Sequence, residues 1–173
     1  MVFARRDGVP GEVLGRLGLA RGAKVLAAAW LERPSVWLIA TQEDLVVAGG
    51  EADKEADESI PWTDIERAKI GRDTGSVTLL FVDPARAPRR FVVPPTGKRL
   101  TKVIDEQIRS SVLAVQFVPM PGGPARVALR RPIHGEPFVQ VILPKGVPEL
   151  DGEARAAVDA AVASLREAAG LPA

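Results

Sequence analysis

The chain has 173 residues and a formal net charge of +1, and 46% of its residues are hydrophobic while 26% are charged. This length and composition are typical of one globular domain, or one domain with a small appendage, and argue against a disordered chain or a polycation that coats nucleic acid. Because there is no cysteine and only one histidine, disulfides, thiolate catalysis, iron–sulfur clusters and a multi-histidine metal site within one chain are excluded.

The N-terminal segment lacks the apolar stretch of a secretory signal, and no run of about 18 apolar residues occurs in the sequence. We therefore expect a cytoplasmic protein without a transmembrane segment. Residues 10–17 predict a short helix, because Pro10 stands at its start and Val13, Leu14 and Leu17 fall on one face.

A series of short strands is predicted next, separated by turns that contain glycine, proline and acidic residues. The predicted strands are residues 24–30, 36–41, 45–48, 59–61, 64–71, 77–82 and 90–93. Residues 51–58 carry five acidic residues and one lysine. They predict a solvated loop rather than a metal site, because no spacing among them fixes a ligand geometry.

The hydrophobic period then changes from two residues to 3.6, which predicts an amphipathic helix over residues 97–113. Six apolar side chains form its stripe: Leu100, Val103, Ile104, Ile108, Val112 and Val115. Two strands, residues 126–131 and 138–143, are predicted beyond this helix. A last helix is predicted over residues 152–169, with Asp151 as its N-cap and Gly170 as its stop.

These elements divide the chain into three parts. Residues 1–20 form an N-terminal segment, residues 21–115 form a domain, and residues 116–173 form a strand–strand–helix extension that packs on this domain or continues it. The predicted fold class is therefore α+β, with mainly antiparallel strands.

Two segments carry a resemblance to a known family. They are Ile39–Val47, in which a threonine ends one strand before a Leu-Val-Val strand, and Ile60–Ala68, which begins Ile-Pro-Trp-Thr-Asp-Ile. Over about residues 20–115 the chain resembles a pleckstrin-homology-like (PH-like) domain of the bacterial type found in uncharacterised actinobacterial proteins. The resemblance implies a bent antiparallel sheet or barrel of about seven strands, capped by the 97–113 helix.

Domains similar to this one serve as scaffolds for peptides, lipid headgroups or other subunits, and the fold alone does not choose among these. Family members that bind phosphoinositides place several basic residues in the first strand–strand loop. Here that loop is Leu31–Pro34, with one acidic and one basic residue, which argues against specific phosphoinositide recognition.

One stretch of the sequence is markedly basic. No acidic residue lies between Asp83 and Asp105, whereas six bases do. Five of them are the candidate surface for an anion or a partner: Arg89, Arg90, Lys98, Arg99 and Lys102. The alternative is a solvated rim that the acids of 51–58 neutralise.

A second basic cluster lies on the predicted strand 126–131. Alternation puts Arg126 and Arg130 on one face and Val127 and Leu129 on the other. A half-exposed strand explains this pattern, and an edge that binds nucleic acid is the alternative.

No residue is assigned a catalytic, metal-binding or cofactor-binding role. His134 lies in a turn bounded by prolines, with no partner at triad spacing nearby in sequence. Trp30, Trp37 and Trp62 are interpreted as core anchors, with a position at a rim as the alternative for Trp62. We therefore expect a non-catalytic binding or scaffold protein with a protein or peptide partner. The alternatives are a module that binds an acidic lipid surface or nucleic acid through the basic stretch, and an enzyme that uses carboxylates or His134.

Overall fold

The computed structural model describes residues 8–19, 24–49, 57–71, 73–147 and 150–172. Within these ranges the chain is α+β, with ten strands in three antiparallel sheets. It divides into two compact units. Unit 1 lies within Met1–Phe81 and Arg86–Arg109, and unit 2 comprises Val82–Ala85 and Ser110–Ala173.

Unit 1 contains the seven predicted strands. Sheet A has the order β1-β2-β3-β4, formed by Val25–Leu31, Val36–Thr41, Asp44–Gly49 and Glu58–Pro61. Sheet B has the order β5-β6-β7, formed by Ile65–Gly71, Ser76–Phe81 and Arg89–Val92. The existence of the strands is confirmed, but the described residues form two separate sheets and no closed barrel. The chain turns between β4 and β5 through a 3-10 helix at Trp62–Asp64, which ends the pairing of sheet A.

Helix α2, Lys98–Ser110, supplies the apolar stripe that the sequence predicted. Leu100, Ile104 and Ile108 are buried in one core with residues of both sheets of unit 1. The helix ends three residues earlier than predicted, since the chain continues as a strand from Val112. The prediction assigned Val112 and Val115 to the apolar stripe of the helix. In the structure they belong to a strand.

A polar corner joins β2, β3 and β4. The Asp44 carboxylate accepts a hydrogen bond from Thr41 Oγ1 at 2.5 Å and another from Ser59 Oγ. Trp62, only 4% exposed, donates from its indole Nε1 to the backbone oxygen of Thr41 at 3.2 Å. Residues that carry the family resemblance thus fix the corner of the sheet, which is a structural role.

Helix α1, Gly11–Arg16, covers the outer face of sheet A. Val13 and Leu14 are buried with side chains of β2 and β3, so these two strands are buried on both faces. Arg16 binds Asp57 through two hydrogen bonds, Nε to Oδ2 at 2.6 Å and Nη2 to Oδ1 at 2.8 Å. Asp57 Oδ1 also accepts from the Gly49 amide at 3.0 Å. This pair therefore anchors the end of α1 to sheet A.

Asp57→Asn is expected to lower the free energy of unfolding by about 1–3 kcal/mol, because it weakens charge-assisted hydrogen bonds to a part-buried arginine. The side chains of Arg16 and Asp57 are only 18% and 19% exposed. Urea denaturation followed by circular dichroism measures the loss. Asp105→Asn is the matched control, because its partner Arg109 in an i,i+4 ion pair is 79% exposed. An equal loss in both variants would contradict the anchoring role of Asp57.

The described residues of unit 2 form one sheet and one helix. The strands are β8 (Val112–Val118), β9 (Ala125–Arg130) and β10 (Phe138–Ile142), in the order β10-β9-β8. Helix α3, Gly152–Ala168, packs on one face of this sheet. The extension therefore has one strand more than the predicted strand–strand–helix.

The predicted ends of α3 are confirmed. Asp151 caps the helix by accepting a hydrogen bond from the Ala154 amide at 2.8 Å. Gly170 follows the helix with a φ of 65°, a conformation that favours glycine. In the described part of the chain, neither α3 nor any other helix has the length and apolar character that crossing a membrane requires.

Arg130 corrects the prediction of a half-exposed strand. Its side chain is 0% exposed, and its Nη1 donates to Ser111 Oγ at 2.8 Å. Alternation is as predicted, because Val127 and Leu129 pack under α3 while Arg130 points to the other face. The exposure was wrong because five of the six residues of β9 are buried, among them Ala128 and Arg130 on the face away from α3.

Candidate functional site

A groove of about 870 Å³ lies in unit 1. One wall is the hairpin of β1 and β2, and the other runs from the end of β7 to the first turn of α2. Ligand sites in proteins are commonly roughly 300–1,000 Å³ in volume. The groove is therefore large enough for a small molecule or several residues of a peptide.

Two tryptophans form the aromatic part of the hairpin wall. Trp30 of β1 and Trp37 of β2 are directly paired across the strands, with ring centroids 5.6 Å apart and ring planes tilted by 57°. Trp30 is 36% exposed, whereas Trp62 is 4% exposed. The interpretation of all three tryptophans as core anchors is thus confirmed for Trp62 and wrong for Trp30. The buried residues of β1 are Ala27, Ala29 and Leu31, so Trp30 falls on the opposite face of an edge strand.

The turn between these strands places opposite charges at the rim. Glu32 and Arg33 both line the groove and are exposed. Ser35 Oγ donates to the Glu32 carbonyl at 3.1 Å, and the Val36 amide donates to the Pro34 carbonyl at 2.7 Å. These bonds hold the turn in one shape, and Arg33 lines the same groove as the two tryptophans.

The facing wall is formed by Val92, Pro94, Thr96 and the start of α2. A 3-10 helix, Pro95–Gly97, carries the chain from the end of β7 into α2. Gly97 permits its close packing on β1, since a Cβ built there would lie 2.5 Å from Val93 Cγ1 and 3.0 Å from Ala29 Cβ. The absence of a side chain at Gly97 therefore maintains this wall.

The structure does not gather the basic stretch into one surface. Arg86 and Arg89 both pair with the carboxylate of Glu58. Their guanidinium carbons also lie over aromatic rings, 3.8 Å from the Phe81 centroid for Arg86 and 5.0 Å from the Phe91 centroid for Arg89. These two arginines therefore hold β4, β6 and β7 together. The acids of 51–58 were expected to neutralise the stretch. Those within 51–56 lie outside the described residues.

The other four candidates lie in three settings. Arg90 follows Arg89 on β7, is exposed, and stands opposite Thr78 of β6. Lys98 and Lys102 are exposed on one side of α2, where Lys102 Nζ lies 3.6 Å from a carboxylate oxygen of Glu106. Arg99 alone among the five candidates lines the groove.

The remaining candidates of the sequence lie in unit 2. His134 is exposed in the bend between β9 and β10. Arg131 is also exposed, and Arg126 is half-buried on β9. The buried Arg130 does not lie on a surface with them, so this cluster presents fewer cations than the sequence predicted.

The groove combines apolar surface with two guanidinium groups. Trp30, Trp37 and Val92 supply the apolar part, and Arg33 and Arg99 supply the guanidinium groups. The chemistry of this lining suits a ligand that carries an apolar group beside a carboxylate or phosphate. Comparison with protein-family models gives no match, and comparisons with curated proteins and with solved structures give none either.

Proposed function

We propose that unit 1 is a non-catalytic binding module that holds a peptide segment of a protein partner in the groove. The observation that carries this proposal is the exposed Trp30, paired across the strands with Trp37 in a groove that Arg33 and Arg99 also line. Tryptophan and arginine are enriched among the residues that dominate protein–protein binding energy. The exposed part of Trp30 is apolar surface that a bound partner would remove from water.

The openness of the groove favours an extended chain as its occupant. Many of its lining residues are exposed, among them Glu32, Arg33, Val92, Thr96 and Arg99. An extended peptide presents side chains at short, regular intervals along such a surface. The partner segment would insert an aliphatic or aromatic side chain between Trp30 and the facing wall. An Asp, a Glu or a C-terminal carboxylate would bind the arginines.

The element order supports a PH-like assignment for unit 1. Seven antiparallel strands are followed by one helix, which is the order of elements that the family resemblance implies, although the strands form two sheets. Domains similar to this are used as scaffolds for peptides, among other ligands. The fold does not select the ligand, so the choice of a peptide rests on the groove.

Trp30→Ala is expected to lower the affinity for a groove-binding peptide at least about thirtyfold, since truncating a central aromatic anchor costs about 2 kcal/mol or more. The peptide comes from a displayed library of random sequences selected on the full chain, and calorimetry measures its affinity. Selected sequences are expected to combine an apolar residue with an acidic one. Arg99→Gln is expected to weaken binding and reduce its dependence on salt.

Ile70→Ala is the matched control for Trp30→Ala. Ile70 is 37% exposed, nearly the same fraction as Trp30, but lies on β5 and does not line the groove. Its peptide affinity is expected to stay at the wild-type value. If no peptide is selected, or if both variants bind as the wild type does, the groove is not the binding site.

A polyanionic surface is the second candidate partner, favoured by one observation on sheet B. Lys69, Thr78 and Arg90 are neighbours in one row across β5, β6 and β7, with both bases exposed. A surface of this kind binds phosphates in a salt-dependent way. Binding to acidic liposomes or to DNA that Trp30→Ala leaves intact and Arg90→Glu removes would favour this candidate over the peptide.

A further inference from the structure

Strand β8 is an edge of the sheet in unit 2. It pairs with β9 on one side, and no strand in the described ranges pairs with its other side. None of the residues from Val112 to Phe117 is buried, although β9 beside them is almost entirely buried. Phe117 is 65% exposed and Leu113 is 43% exposed. Within the described ranges, the outer edge of β8 is thus not covered by another strand.

The sequence of β8 lacks the charged residues and the proline that keep many edge strands from pairing. Its seven residues, Val-Leu-Ala-Val-Gln-Phe-Val, contain no charge, no proline and no glycine. Edge strands that stay single are usually protected by charged side chains, proline or a bulge that turns the edge away. Here the one irregularity lies between Val112 and Ala114, at the start of the strand. The rest of the edge offers unprotected backbone amides and carbonyls.

We propose that β8 pairs with β8 of a second copy of this chain, antiparallel and centred on Val115. The strand is nearly symmetric about this residue, because Val112 then faces Val118 and Leu113 faces Phe117 of the other copy. Leu113 of each copy contacts Phe117 of the other, so this contact forms twice. Such aromatic–aliphatic pairs stabilise antiparallel sheets. The result is one sheet of six strands with closed two-fold symmetry.

The chemistry of the edge argues for a second copy rather than a charged partner. A basic or acidic strand gains no ion pair along 112–118, whereas an identical uncharged strand matches it residue by residue. The face of β8 toward α3 is already occupied, since Gln116 Nε2 donates to Ser164 Oγ at 3.2 Å. Phe117 alternates with Gln116 and points away from this helix. Pairing through β8 therefore leaves the packing of α3 unchanged.

The full chain is expected to have a mass in solution of twice 18.4 kDa, measured by light scattering during gel filtration. Phe117→Lys and Leu113→Lys are each expected to give a monomer with the mass of one chain, because they place a charge in the contact between the two copies. Val141→Lys is the control. Val141 is 38% exposed on β10, the opposite edge of the same sheet, and this variant is expected to remain a dimer.

Three results would overturn the proposal: a wild-type chain that stays single at high concentration, a Phe117→Lys variant that remains a dimer, or a Val141→Lys variant that dissociates. Hydrogen exchange gives a second measurement that needs no variant. The amides of 112–118 are expected to exchange more slowly as protein concentration rises, while those of 138–142 keep their rates. Rates in 112–118 that do not depend on concentration would also overturn it.

Discussion

Trp62→Ala is expected to lower the free energy of unfolding by about 3–5 kcal/mol, as large truncations of buried aromatic residues do. Trp62 is 4% exposed and packs in the core that both sheets of unit 1 share with α2. Its indole also donates the hydrogen bond to Thr41 that closes the polar corner. The substitution therefore removes a large apolar contact and leaves a buried backbone carbonyl without this donor.

Two further variants separate these contributions. Trp62→Phe keeps an aromatic ring in the core but removes the indole donor, so its cost is expected to be about 1–2 kcal/mol. Trp30→Ala removes the same side chain from an exposed position and is expected to cost clearly less than Trp62→Ala. Urea denaturation followed by far-ultraviolet circular dichroism measures all three. Equal losses for Trp30→Ala and Trp62→Ala would contradict the assignment of one tryptophan to the groove and the other to the core.

Ile104→Ala carries the second large expected effect, a loss of about 2–5 kcal/mol. Ile104 is 0% exposed at the middle of α2, where it lies in the core with Leu100 and Ile108. Truncation removes the apolar contact and leaves a cavity that neighbouring strands fill only in part. The same denaturation experiment measures the change.

Ile70→Ala is again the matched control, because Ile70 is 37% exposed on β5. Its expected cost is below about 1 kcal/mol, in line with the smaller area that it removes from contact. The packing of α2 against the sheets would be contradicted if Ile104→Ala cost no more than Ile70→Ala.

Much of the fold follows from hydrophobic period and turn residues. The strands of unit 1, the stripe of α2 and both ends of α3 are where the sequence predicts them, because each depends on neighbours within a few residues. The division into two sheets is not local, since it depends on which strands share hydrogen bonds. A 3-10 helix at Trp62–Asp64 separates β4 from β5. The alternation of apolar and polar residues that predicts strands does not predict this helix.

Strand β8 shows how one pattern hides another. Val112 and Val115 continue the three- and four-residue spacing of α2, so a helical stripe extends into a segment that forms a strand. A stretch without charged residues is compatible with either element. Residues 112–118 form a strand because they pair with β9, and a local sequence pattern does not predict this pairing.

The candidate site was only partly predictable. Arg99 was identified from the run of bases, but Trp30 and Arg33 were not, because the exposure of Trp30 depends on β1 being an edge strand. The signal that was available is a tryptophan next to a short, charged turn. Arg130 shows the opposite case. The sequence predicts this basic residue on a surface, but it is buried on the central strand of the sheet.

The placement of the three tryptophans has an optical consequence. The chain has no tyrosine, so its intrinsic fluorescence comes almost entirely from these indoles. Trp30 and Trp37 line the groove, while Trp62 lies in the core. Iodide in the solvent reaches an exposed indole and not a buried one, so quenching separates the two populations. The fluorescence of Trp30 and Trp37 therefore reports on the groove, and that of Trp62 in the core serves as an internal reference.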